Sequence, residues 1–453
     1  MDSSNILSYV EQDNRLGRRN FLKGVGYGGL ALAGTGLLAA CGDQSSNSSN
    51  SSQIAPRGSK ISGALTLAYL GTADQQVVWK KLFALFQQQY PDVQLTAQAN
   101  DSNNWAVYFN SISTQIAGGK VPDVVQVATE GQRLFASRGL VAPIDAYLAR
   151  DKADLTTYYA DTPANLLQLV AQSSPGGKTY YLPDVYNPMC VWYNVEMFQK
   201  AGVDEPDDSW TWDDFLAIAR KIVKPGVYAM YAQPTYFTGI MPWVLTNGGN
   251  VLNSDWSKST VTDPTVVEAM AFMRQMVAEG ISPAPGGTFD EYGAMAQNKL
   301  AMFGGGCWPI INIRELNMVN KVKIVAWPRK AKQGSPLGFN AYPIMQASQN
   351  KEAAWAFAKF MVSKEANTLL VENGGTGVPL SQSIVNSNAF LDNTPVGMDK
   401  LYPALAYGTL LPAPNKENVV ELAIDNVSSQ VLTGNVTPAQ GMSQLDQQIT
   451  AAL

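Results

Sequence analysis

Any chemistry in this chain has to proceed without histidine, because none occurs among its 453 residues. The commonest general base and the commonest transition-metal ligand are therefore missing together. Ser-His-Asp and Cys-His arrangements are excluded, and so is a His-ligated zinc; catalysis by carboxylates alone survives. The three cysteines, Cys41, Cys190 and Cys307, lie too far apart in sequence to read as a metal cluster. With Cys41 set aside for the reason given below, Cys190 and Cys307 are open to two readings. One is a disulfide, which an extracytoplasmic setting permits; the simpler one is two separate buried thiols. The residues call for no metal and no cofactor. Net charge is −5, and about −6 once residues 1–40 are removed. Without a basic run there is nothing to neutralise phosphates, so nucleic acid is not an expected partner.

The amino terminus carries an address. Arg18-Arg19-Asn20-Phe21-Leu22-Lys23 precedes an apolar stretch, Gly24–Ala40, and then Leu38-Ala39-Ala40-Cys41. This order of parts resembles a twin-arginine signal peptide ending in a lipobox. An uncleaved membrane anchor is the alternative, but Gly24–Ala40 is at the short limit for spanning a bilayer and contains six glycines. The resemblance implies that Cys41 becomes the lipidated first residue, a membrane anchor through acyl chains. From Gly42 to about Lys60 the chain is dominated by Ser and Asn, with almost nothing apolar to bury. Such a tether has a span of roughly 25 Å.

At this length two lobes are the natural division of the remainder, and the composition is that of an ordinary globular protein, 46% hydrophobic and 15% charged. Ala64–Tyr69 reads as a strand, with Asp74 as a candidate helix cap after it. Trp79, Leu82, Phe83, Phe86 and Tyr90 fall on one face of a helix. Val93–Gln98 alternates as a second strand, Trp105–Ala117 is helical up to Gly118-Gly119, and Asp123–Val127 forms a third strand. Strand, helix, strand, helix, strand predicts a parallel sheet. A second such unit starts near Cys190, with Val191–Asn194 as a strand and Trp212–Val223 as a helix entered from Thr211. Asp213 and Asp214 stand in its first turn, where the macrodipole favours negative charge. Asp263-Pro264 caps and starts another helix whose inner face is Val266, Met270, Met273 and Val277, ending at Gly280. A further helix covers about Lys351–Met361. No repeat, coiled coil or later membrane span is visible.

These residues, together with a series of short fragments, resemble the family 1 extracellular solute-binding proteins, the group containing the maltose-type sugar receptors. The fragments are Phe86 through Tyr90-Pro91-Asp92-Val93, Ile116–Val124, Gly177–Pro183 and Trp192-Tyr193-Asn194. Lys200-Ala201-Gly202 leading to Trp210–Asp213, Asn298–Met302 leading to Cys307-Trp308, Asn350–Trp355 and Gly377-Val378-Pro379 complete the set. Each alone is weak; eight in order behind a lipobox are specific. The resemblance implies an α/β, two-lobed periplasmic-binding-protein-like fold with hinge strands and an interlobe ligand cleft. Lobe one is placed at 61–187 plus 340–386, and lobe two at 188–339 plus 387–453.

In open parallel sheets ligands bind outside the carboxyl ends of the strands. That rule selects Gly71-Thr72-Ala73-Asp74 and Ala128-Thr129-Glu130-Gly131. A pyranose has apolar faces edged by hydroxyls, so its site needs flat aromatic walls and in-plane donors and acceptors. By resemblance, Trp308 after Gly304-Gly305-Gly306-Cys307 is a stacking aromatic, and Tyr236 another, with Trp243 competing for the same wall. Glu130 corresponds to a polar loop residue that takes sugar hydroxyls, and Asn187 to a hinge-side polar contact. Asp184, Trp105, Asn340 and Thr72 complete the candidate ligand-binding set; Tyr180, Tyr181 and Trp192 read as core. The chain departs from the family where Val127 replaces an aromatic, where Thr72 and Ala73 replace a carboxylate and a lysine, and where Glu421 stands near an expected aromatic.

The function so implied is that of the extracytoplasmic, substrate-binding subunit of an ABC importer, a monomer that captures a carbohydrate and delivers it to permease subunits. Two alternatives remain. A surface glycoside hydrolase would need two facing carboxylates about 5–10 Å apart, for which Glu130 and Asp184 are the available cleft acids. A receptor for a polyamine or another non-sugar solute would need a cluster of cleft carboxylates, and none is visible in the sequence.

Overall fold

The computed structural model describes residues 54–453 apart from Asp74, Asn103 and Thr376. The twin-arginine segment, the lipobox with Cys41, most of the Ser/Asn-rich tether and the Asp74 cap therefore lie outside the described residues.

Three sheets organise the body. The first is parallel, in the order β2-β1-β3, with β1 at Gly63–Leu70, β2 at Val93–Asn100 and β3 at Val124–Val125. Helices Gln76–Gln89 and Trp105–Ala117 make the crossovers. The first buries Trp79, Leu82 and Phe86. The second starts at Asn104, whose side chain accepts from the Val107 amide at 3.0 Å, a capping bond that satisfies a free helix donor.

The third predicted strand is divided. Val124–Val125 pairs with β1, whereas β4 (Val127–Ala128) pairs with a different sheet. The break falls at Gln126, which is 3% exposed and accepts from the Leu70 amide through its side chain at 2.9 Å.

The second sheet is central. Strand β5 (Pro183–Pro188) runs antiparallel to β10 (Ser335–Ala341), with β11 (Val378–Pro379), β12 (Gly408–Leu410) and β4 completing it. Only Met189 separates β5 from β6 (Cys190–Asn194), which belongs to the third sheet. That sheet has the order β7-β8-β6-β9, with β7 at Tyr228–Met230, β8 at Leu300–Gly305 and β9 at Val322–Ala326. Here the expectation of a second parallel unit is corrected: β6 is antiparallel to both neighbours, and only β7 and β8 run parallel.

Helix Trp212–Ile222 opens with a reciprocal capping box between Thr211 and Asp214. Helix Pro264–Ala278 buries Val266, Met270 and Met273 as its periodicity predicts, but Asp263 makes no side-chain capping bond; Pro264 sets the first turn instead. Helix Lys351–Met361 packs Trp355, Phe357 and Phe360 into the core beside the first sheet.

Cys190 and Cys307 are free, buried thiols, and burial pushes both up to about 12. The last stretch assigned to the tether is docked on the body. The Ala55 amide donates to Glu352 at 2.8 Å, Arg150 donates to the Ala55 carbonyl at 2.7 Å, and Arg57 pairs with Asp154. Composition missed this, because the holding groups come from Arg150 and Glu352, far along the chain.

Candidate functional site

A cavity of about 660 Å³ gathers segments from all three sheets. Leu70 and Thr72 reach it from the end of β1, and Glu130 from the turn after β4. Asn187 comes from β5, Asn340 from β10, and Gly304 from β8 with Trp308 just beyond. The strand-end rule thus identified two of the loops that do line the cavity.

Trp308 is held by a turn that only small residues permit. A side chain at Gly306 would meet the Trp308 ring at 2.3 Å and the Asn187 side-chain oxygen at 2.9 Å. That Asn187 oxygen accepts from the Cys307 amide at 3.2 Å, and the Gly306 carbonyl accepts from the Trp192 indole at 3.2 Å. The ring stays partly exposed to the cavity while the turn around it is buried.

Facing it, the chain makes a π-helical turn over Tyr236–Ile240. Tyr236 is only 1% exposed, donating its hydroxyl to the Pro412 carbonyl at 2.9 Å and its amide to Asp425 at 2.8 Å. The neighbouring residue, Phe237, is the more open ring, and its centroid lies 6.4 Å from that of Trp308. Sequence reasoning missed Phe237, since the extra residue of a π-turn shifts side-chain phase in a way that ordinary helical spacing does not reveal. Trp105 supplies another wall, stacked on Phe109 at 5.5 Å and 25°. Asn340, Asn104, Gln126 and Gln233 place amide groups around the rim or floor.

Seven of the nine candidate residues border this cavity: Trp308, Tyr236, Glu130, Asn187, Trp105, Asn340 and Thr72. Two do not. Trp243 is 1% exposed and packs against Trp212, Phe215, Phe272 and Trp327 with ring centroids 5.1–5.5 Å away. It is a core tryptophan. Asp184 is 2% exposed, is pushed up to about 8 by burial, and borders a separate small void beside Trp79 and Tyr342. The acid pair required by a hydrolase, Glu130 with Asp184, therefore does not share this cavity. Tyr181 and Trp192 are core, as the sequence suggests, whereas Tyr180 is only partly buried.

The structure also corrects the reading that no carboxylate cluster exists. Glu417, Glu421 and Asp425 follow one another at intervals of four along helix Glu417–Leu432, hence on one face. That helix packs against the Glu130 turn, the Trp105–Ala117 helix and the Tyr236 turn. Burial pushes Glu130 up to about 7 and Asp425 to about 7. Glu417 and Glu421 are pushed well above the usual carboxylate range by burial and by their acidic neighbours. Like charges packed together in a dry site resist ionising together. Glu130 and Glu421 border the cavity; Glu417 lies behind, fully buried.

Mixed α/β lobes meeting at a ring-walled, amide-edged cavity define the class of two-lobed solute receptors. The chain belongs to the bacterial extracellular solute-binding protein family, whose profile matches residues 68–368. It is similar to an ABC substrate-binding protein from Listeria monocytogenes solved in complex with cycloalternan: TM-score 0.77, 24% identity, covering 86% of this chain and 99% of that one. A solute-binding protein of an ABC transporter from Thermotoga lettingae, bound with α-D-tagatose, matches with TM-score 0.75 and 24% identity over 86% of this chain and 99% of that one. In sequence, the arabinooligosaccharide-binding protein of Bacillus subtilis is 24% identical over 293 residues, 61% of this chain and 64% of that protein. At these identities the solved structures establish the shared fold.

Proposed function

We propose that the chain captures a carbohydrate in the cavity walled by Trp308, Phe237 and Trp105 and hands it to the membrane permease of an ABC importer. The observation that carries this reading is the pairing of partly exposed rings with side-chain amides around one 660 Å³ space. Rings cover the apolar faces of a pyranose, while Asn187, Asn340 and Gln233 can donate to and accept from its hydroxyls. No covalent chemistry is required of such a site.

The hinge of this reading is the central sheet, where β5 and β10 carry the chain between the other two. Ligand bridging the lobes would shift an open–closed equilibrium by its preference for the closed form. Among the described residues no helix is long and apolar enough to cross a membrane. The lipid on Cys41, with the tether after it, is the anchor that keeps the receptor beside its permease in this account, acting as a monomer.

A thermal-shift screen over mono- and disaccharides tests the assignment, because a ligand that binds only the native state raises its melting temperature. At a hundred times its Kd the stabilisation is about 2.7 kcal/mol. A sugar that produces a saturable rise supports the reading. A rise with a non-sugar solute and with no sugar would overturn it.

A further inference from the structure

Accepting hydroxyls from a neutral sugar would use Glu130 or Glu421 as acceptors only, and would leave the acids beside the cavity without a counter-charge. One oxygen of Glu421 and both oxygens of Glu417 lack any hydrogen-bond partner. Glu421 is 7% exposed, Glu417 fully buried, and Glu421 borders the cavity directly. Buried polar groups are normally satisfied, so an acid at the edge of a cavity with an unpartnered oxygen points to a group supplied from outside.

Nothing basic offsets these acids. Among the described residues no lysine or arginine lines the cavity, and none of Glu130, Glu417, Glu421 or Asp425 forms an ion pair. The cations on neighbouring elements are engaged elsewhere. Arg133 donates to the carbonyls of Ser173 and Asp255 over the Trp256 ring, and Arg274 donates to the Val436 carbonyl. Lys416, just before the helix, is exposed. Of the other titratable groups near the cluster, Tyr236 places its hydroxyl on the Pro412 carbonyl and Tyr108 on the Ala68 carbonyl at 3.0 Å, while Asp290, Glu291, Tyr231 and Tyr292 also line the cavity and add acids rather than cations.

We infer that the ligand is a sugar bearing a protonated amine, seated with its ammonium group against Glu421 and Glu130 and its ring between the aromatic walls. A cation brought into this site pairs with charges that otherwise stay protonated or repel each other. A bare metal ion fits poorly, since among the described residues no three acids or thiols converge as a coordination set. A simple polyamine would leave most of the rim amides unused, whereas sugar hydroxyls engage them. The proposal rests on the carbohydrate reading and narrows it to a chemical class.

Matched pairs separate the two claims: glucosamine and glucose, galactosamine and galactose, the β-1,4-linked glucosamine disaccharide and cellobiose, with spermidine as a sugar-free amine. Calorimetry at pH 6.5 should find at least one pair whose amine member binds tenfold or more tightly than its hydroxyl partner. Glu421→Gln should bring that ratio near one. Repeating the titration in two buffers of different ionisation heat should show protons released on binding the amine, because ionised carboxylates are needed to pair with it. That release should vanish for the hydroxyl member. A hydroxyl member that binds equally or better in every pair overturns the amine inference and leaves the carbohydrate reading standing. Spermidine outbinding every sugar overturns the inference and the carbohydrate reading with it; binding by none of the six sugars, where the wider screen does yield a sugar, overturns the inference alone.

Discussion

Two groups of carboxylates in the molecule, one around Asp151 and one beside the cavity, are treated oppositely. Asp151, 2% exposed, is surrounded by donors: Arg150 at 2.8 Å, Lys359 at 2.7 Å and the Trp355 indole at 2.7 Å. Burial pushes Asp151 upward, but these hydrogen bonds win and hold it well below the usual carboxylate range. Among the described residues Glu417, Glu421, Glu130 and Asp425 have no ion-pair partner and are all pushed up, although Asp425 accepts from the Tyr236 amide and the Asn104 side chain. A buried charge with its partners in place is part of the fold's own fabric. A buried acid left without them, at the edge of a cavity, costs stability unless something else supplies the opposite charge. The first group closes the structure around the docked Ile54–Lys60 segment; the second borders the cavity with no counter-charge of its own among the described residues.

Breaking the satisfied cluster should have the largest effect. Asp151→Ala leaves Arg150 with Glu352 and Lys359 with Asp154 but removes the acceptor of three charged or indole donors at once, and urea denaturation should show a loss of about 3 kcal/mol. An unchanged midpoint would mean that the cluster is not what holds this face together.

The two groups should also give opposite pH responses. Asp151 titrates lower in the folded than in the unfolded chain, so its contribution is complete above the ordinary value of 3.8 and is lost as pH falls below it. Glu130 and Asp425 titrate higher when folded, near 7. Their contribution is complete below the ordinary carboxylate values of 3.8–4.5 and is lost as pH rises through about 7. The ligand-free protein should therefore lose about 2 kcal/mol or more between pH 5 and 7, at up to about 1.4 kcal/mol per pH unit for each carboxyl. Denaturation at several pH values checks this; a flat profile would place these acids in a wetter setting than the structure gives them.

Glu417 lies behind the cavity wall and can be replaced without altering the lining. Glu417→Met removes an unpaired acid and fills its volume, and should stabilise the protein by about 1 kcal/mol at pH 8 and by less at pH 5. The smallest effect belongs to Arg57, whose pairing with Asp154 is exposed. Arg57→Ala should shift stability by less than about 1 kcal/mol, and by nothing measurable in high salt.

The sequence exposed these features unevenly. Trp105–Ala117 and Lys351–Met361 are legible to the residue, because their amphipathic spacing and flanking signals agree with their burial. The division of Asp123–Val127 between two sheets was not, since it depends on Gln126 meeting the Leu70 amide across the fold. At the site, Trp308 is reached through the family resemblance, and its glycine run permits the close approach of the ring to the backbone. Phe237 lay one residue from Tyr236 and was hidden by the π-turn. The intervals of four linking Glu417, Glu421 and Asp425 are plain in the sequence. By ordinary patterning, though, an acidic stripe faces solvent, and only the packing of that helix on the Glu130 turn buries it.

A titration of tryptophan fluorescence with the sugar that raises the melting temperature most, run on the wild type and on Trp308→Ala, tests the central claim most directly. The wild type should give a saturable signal, and the variant an affinity lowered by about 2 kcal/mol, some thirtyfold, with its ligand-free melting temperature little changed. Undiminished affinity in Trp308→Ala, followed through the remaining tryptophans or by calorimetry, would contradict a carbohydrate held in this cavity.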